Sequence, residues 1–251
     1  MSGHSKWAGI KHKKGLADAK KGAVFTKITK ELTLAARLSG GDPDSNPRLR
    51  LAMAKAKEAN MPKDNTEKAI KRGTGELPGV VYEEVTYEGY GPAGVAIFIE
   101  VTTDNKNRAT AELRNILDKR GGNLAGAGSV AWMFQKKGFI TVSKAAVGED
   151  KLMSLVLDAG AEDFKVEEDD YEITIAPKDF EAVKKSLDDN KIETKVAEIT
   201  MLPSTNIKLT GGQAKQVLAL VEALEDHEDV QNVYSNFDIP DAILKELAQE
   251  K

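Results

Sequence analysis

The sequence predicts an α+β protein of three domains: a helical N-terminal domain, a middle α/β sandwich domain and an inserted ferredoxin-like βαββαβ domain. Three features lead to that class. Apolar residues recur at helical three- and four-residue steps from about residue 24 to residue 72 and then alternate from about residue 80, the signature of strands. The stretch 138–201 runs strand, helix, strand, strand, helix, strand, which is the order of a split βαβ unit. A final helix and strand are too small to stand alone, so they are expected to complete the sheet begun near 80, leaving 137–202 as an insertion between 76–136 and 203–251.

The elements follow in chain order. Residues 1–22 carry few large apolar groups among many basic or imidazole side chains, cannot bury enough surface to offset their ordering entropy, and are expected to be an arm that orders on a partner. Over 24–38, Phe25, Ile28, Leu32, Ala35 and Ala36 form one helical stripe, with Lys27, Lys30 and Arg37 expected on the opposite side and Gly40 and Gly41 as the stop. Asn46 caps a second helix with Pro47 in its first position and a stripe of Leu49, Ala52, Met53 and Ala56, flanked by Arg48, Lys55, Arg50 and Lys57. A third helix is expected over 64–72, stopped by Gly73, and completes a helical domain over 23–75.

After a linker at 73–79, strands are expected over 81–88 and 94–102. A helix capped by Thr103 or Asp104 follows, with Ala109, Leu113, Ile116 and Leu117 against the sheet. A glycine-rich connector at 121–129 leads to a strand over 129–135. The insertion places strands at 139–142, 164–167, 171–175 and 196–201 and helices at 150–159 and 178–189, with Glu167, Glu168, Asp169 and Asp170 as a hairpin turn. The last helix carries Ala214, Leu218, Val221 and Leu224, and the last strand spans 230–237.

Composition narrows the function. The 251 residues are 41% hydrophobic and 30% charged, ordinary for a folded chain. The absence of cysteine removes disulfides, thiolate nucleophiles and cysteine-containing zinc sites, and fits a reducing compartment. Stretches without charged or strongly polar residues, such as 93–99, fall far short of a membrane span, and no apolar segment follows the N-terminal lysines as in a secretory signal, so the expected location is the cytoplasm. With only His4, His12 and His227 as imidazoles, neither a catalytic triad nor a histidine metal site is visible, and no metal, cofactor or catalytic residue is expected.

Charge distribution is the main functional signal. Residues 1–75 hold 17 Lys and Arg against 7 Asp and Glu, whereas the remainder holds 19 against 33, so a formal net charge of −4 conceals a basic leading segment and an acidic remainder. That division suits one part built for a polyanion and another that stays free of it. The candidate contacts are Lys6, Trp7, Lys11, His12, Lys13, Lys14, Lys20 and Lys21 in the arm, where one indole among the cations could stack on a base. Lys27, Lys30, Arg37, Arg48 and Arg50 on the helices extend the set. The competing reading is a solubilising tail with Trp7 docked on its own domain. Asn105, Asn107 and Arg108 sit at a helix N-terminus, a location suited to an anion or to plain capping. The glycine-rich segment 121–129 lacks the strand-to-helix context of a phosphate loop. The insertion, with 8 basic and 16 acidic residues over 138–202, would repel phosphate despite its topological likeness to an RNA-recognition motif.

Several multi-residue motifs stand in order: GHSKW and IKHKK, FTKITKEL, GDPDSNPRLR, NMPKDN followed by IKRGTG, YEGYGP, TDNKNR and GGNLAGAGSVA. Together they resemble the YebC family, which includes the mitochondrial translational activator of cytochrome oxidase subunit I. The likeness runs to about residue 135 and continues more loosely beyond, with small departures such as Ala109 where the family often has threonine. It implies a three-domain α+β fold in the bacterial cytoplasm and two functional labels: DNA-binding transcriptional regulator, and ribosome-associated translation factor that assists difficult sequences such as proline runs. An arm that orders on binding suits the irregular phosphate surface of ribosomal RNA, and neither a clear helix-turn-helix nor a dimerisation stripe is visible, so RNA is the preferred target and DNA the alternative. An enzyme with a pocket between the middle and inserted domains is the remote third reading.

Overall fold

A computed structural model describes residues 18–240 together with Ile243, and side chains from Lys21 onward. The chain is mixed α+β and forms two compact units; their described parts are residues 18–129 with 211–233, and residues 130–210 with 234–240.

The first unit opens with α1 (Asp18–Ser39), α2 (Pro47–Glu58) and α3 (Lys63–Thr74). The start of α1 lies inside the segment expected to be irregular, because Ala19, Lys20, Lys21 and Ala23 are good helix formers and Gly22 alone opposes them. Its stripe of Ile28, Leu32, Ala35 and Ala36 joins Leu49, Ala52, Ala56, Met61 and Ala69 in a self-contained core. Asn46 is 1% exposed. Its Oδ1 accepts the Leu49 amide at 3.0 Å while its Nδ2 donates to the Ala35 and Gly40 carbonyls at 2.9 and 2.8 Å. One side chain thereby caps α2 and closes the end of α1. Gly73, expected to stop α3, lies inside it instead. A Cβ there would stand 2.3 Å from the Thr33 carbonyl oxygen and 2.7 Å from the Ala36 Cβ, so this glycine permits close contact between α1 and α3. The helix stops at Gly75, which has the left-handed φ of +85°.

The same unit contains β1 (Glu83–Tyr90), β2 (Ala96–Thr103), α4 (Lys106–Lys119), β3 (Asn123–Ala125), α7 (Gly211–Glu225) and β9 (Val230–Ser235), with sheet order β3-β1-β2-β9. β1 and β2 pair antiparallel from Glu83↔Thr103 to Tyr90↔Ala96. The cap of α4 is Asn105 rather than Thr103 or Asp104; Asn105 Oδ1 accepts the Arg108 amide at 3.1 Å. The glycine-rich segment expected as a connector contains β3, paired to β1 at Glu88↔Ala125 through Tyr90↔Asn123. The approach is too close for side chains: a Cβ on Gly89 would meet the Asn123 carbonyl oxygen at 2.7 Å, and one on Gly122 the Tyr90 carbonyl oxygen at 2.6 Å. α7 buries Leu220, Val221 and Leu224, and β9 completes the sheet beside β2.

In the second unit, β4 (Phe134–Ser143), α5 (Glu149–Asp158), β5 (Ala161–Val166), β6 (Asp170–Ile175), α6 (Phe180–Asp189) and β7 (Thr194–Pro203) form a sheet of order β5-β6-β4-β7. This is the ferredoxin-like arrangement. The strands expected at 129–135 and 139–142 are different in detail: a short 3-10 turn at Ala131–Met133 precedes one unbroken β4. Gly138 keeps that strand continuous under Phe180, whose Cδ2 would lie 2.6 Å from a Cβ there. Ile140, Val142, Ile173 and Ile175 face Leu152, Val183 and Leu187 of the two helices. Each fully buried side chain of this kind contributes roughly 1.5–3 kcal/mol. The acidic turn closes β5 on β6, the Glu167 amide donating to the Asp170 carbonyl at 2.9 Å. β8 (Ile207–Lys208) and β10 (Phe237–Asp238) pair in parallel. Among the described residues, no helix is long and apolar enough to cross a membrane.

Candidate nucleic-acid interface

The sequence-predicted contacts fall into three groups. Lys6, Trp7, Lys11, His12, Lys13 and Lys14, and the side chain of Lys20, lie outside the described residues. Lys21, Arg37, Arg50, Asn105 and Asn107 are exposed. Lys27, Lys30, Arg48 and Arg108 are turned wholly or partly into the protein.

Lys30 marks the largest departure from expectation. The helical stripe places it opposite the core of its own bundle, but that side faces the sheet, and Lys30 is only 5% exposed. Its ammonium group pairs with Asp229 Oδ1, donates to the Glu228 carbonyl at 3.0 Å and stands 5.9 Å from the centre of the Tyr82 ring. Asp229 is 0% exposed, and its other oxygen accepts from the Thr103 hydroxyl and from Arg108, both at 2.9 Å. Burial alone would raise the Asp229 pKa, but the hydrogen bonds from Lys30, Arg108 and Thr103 outweigh it and hold the carboxyl below its ordinary value. Arg108 also binds Asp104 at 2.8 Å, and the two carboxylates hold its guanidinium in the charged form. One turn earlier on α1, Lys27 donates to the Glu225 carbonyl, the last residue of α7. Lys27 therefore supplies a donor to the last residue of α7, and Lys30 one to the turn that follows it.

Arg48 is held the same way. Its guanidinium takes Glu31 through Nε at 2.7 Å and Nη2 at 2.9 Å, and Glu84 through Nη2 at 2.6 Å and Nη1 at 3.1 Å. Glu31 first and Glu84 second keep it firmly protonated. Arg50 donates to the Pro43 carbonyl at 2.9 Å, and Arg37 to the Tyr82 carbonyl at a long 3.4 Å. Sequence reasoning missed Asp229, Glu31 and Glu84, which determine where these cations point. The signal for Glu31 was local, since it lies on α1 opposite a basic helix. Asp229 gave none, being remote in sequence from its partner.

What remains exposed on the bundle is still basic. Lys55 and Lys57 project from α2, and Lys68, Lys71 and Arg72 share one side of α3 at helical spacing. Asn105, Lys106 and Asn107 lie exposed at the start of α4, with Lys106 3.5 Å from Glu83. Among the described residues, Glu112, His227 and Asp229 are close enough to suggest a metal group. The Asp229 carboxylate is already taken by two cations, and His227 Nδ1 accepts the Asp229 amide at 3.1 Å while Nε2 meets Glu112 at 2.8 Å. These groups are thus already engaged with one another and with Lys30 and Arg108.

The arrangement coincides with a known family division. Residues 5–76 match the TACO1/YebC N-terminal domain and residues 82–237 match the TACO1/YebC second and third domains. The chain belongs to the TACO1/YebC family. A relative from Acidobacterium capsulatum, named probable transcriptional regulatory protein, is 59% identical over 95% of this chain and 97% of its own length. One from Dictyoglomus turgidum with the same name is 55% identical over 99% and 100%. A crystal structure of a conserved hypothetical protein from Aquifex aeolicus shares the fold with a TM-score of 0.76 and 43% identity, covering 89% of this chain and 93% of that one. Within this TACO1/YebC chain, Lys30 and Arg48 belong to the N-terminal family domain and Asp229 and Glu84 to the following ones, so the ion pairs join the two matched regions.

Proposed function

We propose that this TACO1/YebC protein is a non-enzymatic regulator of gene expression in the cytoplasm that holds nucleic acid through its N-terminal segment, with ribosomal RNA as the preferred target. The observation that carries this reading is the charge division, 17 basic against 7 acidic residues over 1–75 and the reverse excess beyond. Exposed Lys55, Lys57, Lys68, Lys71 and Arg72 support it, because they keep a basic surface on the bundle after Lys30 and Arg48 are paired internally. Lys6, Trp7, Lys11, His12, Lys13, Lys14, Lys20 and Lys21 supply the rest, with Asn105 and Asn107 as a second contact. Neutralising about 6–10 phosphates makes binding fall roughly 10³- to 10⁵-fold between 50 and 200 mM salt. The test is sedimentation with ribosomes across a salt series, for the full chain and for a chain lacking residues 1–22. Unchanged sedimentation of the truncated chain refutes this reading.

A second reading, a DNA-binding transcriptional regulator, is favoured by the names of the relatives. It predicts a footprint on a defined promoter with affinity about 10³-fold or more above random duplex. Equal affinity for random duplex removes it.

A further inference from the structure

The helical bundle has its own apolar core, built only from residues of α1 to α3 and the loops between them. Its attachment to the sheet half of the same unit is different in kind. Leu34 shares a groove of about 620 Å³ with Val81 and Tyr82, but the polar contacts are made by cations of the bundle against acceptors of the sheet half. Lys27 binds the Glu225 carbonyl, Lys30 binds Asp229 and the Glu228 carbonyl, Arg37 binds the Tyr82 carbonyl and Arg48 binds Glu84. The connection between them, through Leu77, Val80 and Val81, is exposed and contains Gly75 and Gly79. A body with a complete core, a glycine-containing tether and a cationic docking face can detach without exposing that core.

We propose that these contacts form an electrostatic latch, in which the carboxylates and carbonyls of the sheet half occupy the bundle cations in place of phosphate, and that a bound single-stranded polyanion competes for them and releases the bundle. Lys27 and the Glu84-facing edge of Arg48 then become phosphate ligands only in the released state, while Arg48 keeps Glu31 of its own bundle. Paired guanidinium and carboxylate groups on the rim exchange readily for guanidinium and phosphate, since either anion accepts two hydrogen bonds from the planar guanidinium fork. The buried Lys30–Asp229 pair sets the threshold, because separating it leaves two charges to be resolvated or repaired by the ligand. The inference rests on the nucleic-acid reading only for the identity of the competing anion.

The chain has no cysteine, so two can be introduced for spin labels at exposed Lys55 of α2 and Asn115 of α4. The full-length Lys55→Cys/Asn115→Cys protein should show one short label distance at low salt and a longer one on saturation with oligouridylate, with saturation followed by fluorescence anisotropy. Glu84→Gln should raise the open population about threefold without ligand, as expected for an exposed pair, and Asp229→Asn about tenfold or more. Circular dichroism accompanies each variant, and Glu84→Gln, which removes only a surface contact, retains the test should Asp229→Asn unfold. Opening in the variants, together with anisotropy that shows no binding of oligouridylate by any of the proteins, upholds the latch and defeats the nucleic-acid reading. An unchanged open population in Glu84→Gln, or an unchanged distance with oligouridylate bound at saturation, overturns the latch.

Discussion

Replacing Lys30 by methionine probes the buried cluster directly. Removing one member of a buried ion pair costs about 3–5 kcal/mol, because the remaining charge is stranded in a medium that solvates it poorly. Here Arg108 and the Thr103 hydroxyl still serve Asp229 Oδ2, and only Oδ1 loses its partner, so the lower end applies, about 3 kcal/mol. Amide hydrogen exchange in α1 reads this locally, and the expected effect is about 100-fold faster exchange. Less than about a tenfold change would refute the claim that the pair contributes to docking of α1. Acid sharpens the test. The Asp229 pKa is depressed in the folded protein, so its stabilisation is complete above the ordinary aspartate value and disappears as pH falls through the lowered one. The difference between wild type and Lys30→Met should therefore be full at neutral pH and narrow as acid protonates the stranded carboxylate. A difference that widens in acid contradicts the assignment. Lys30→Met combined with Asp229→Leu should recover part of the loss, since neither charge is then left alone.

Asn46→Ala should destabilise the bundle by about 1–2 kcal/mol through the lost cap alone, and more once the Ala35 and Gly40 carbonyls lose their donor, measured by thermal unfolding followed at 222 nm. Gly73→Ala should cost about 1–3 kcal/mol or more by the same assay, because the new methyl group meets backbone rather than a movable side chain; a neutral result would mean that α1 and α3 separate easily. Arg50→Ala, which breaks only exposed contacts to the Pro43 and Asp44 carbonyls, should change stability by no more than about 0.5 kcal/mol. Its effect on oligouridylate binding is the useful contrast, a uniform loss across sequences and a salt slope reduced by about one.

Local signals led to the correct element types. The Asn46-Pro47 pair specified the start of α2, and the strand-helix order after residue 138 specified the ferredoxin-like sheet. Periodicity is a property of neighbours, so it reads well there. It read poorly wherever a residue answers to something distant. Gly73 looks like a stop because glycine usually is one, and only the Thr33 carbonyl above it explains its place inside α3. The glycines at 121–128 look like a connector, and only the facing strand β1 shows that they admit β3. The site has the same division. Excess positive charge in the first 75 residues is visible by counting, whereas the neutralisation of Lys30 depends on Asp229, brought near by the completed sheet.

β9 lies next to β2, although residues 230–235 are synthesised long after residues 96–103. During synthesis the leading half therefore waits with one edge of its sheet unpaired and with Lys30 lacking its counter-charge, while the ferredoxin-like unit, local in its pairing, is free to form first. A nascent chain of this protein carries an open strand and an unneutralised lysine until residues 229–235 emerge, and that one short segment closes both at once.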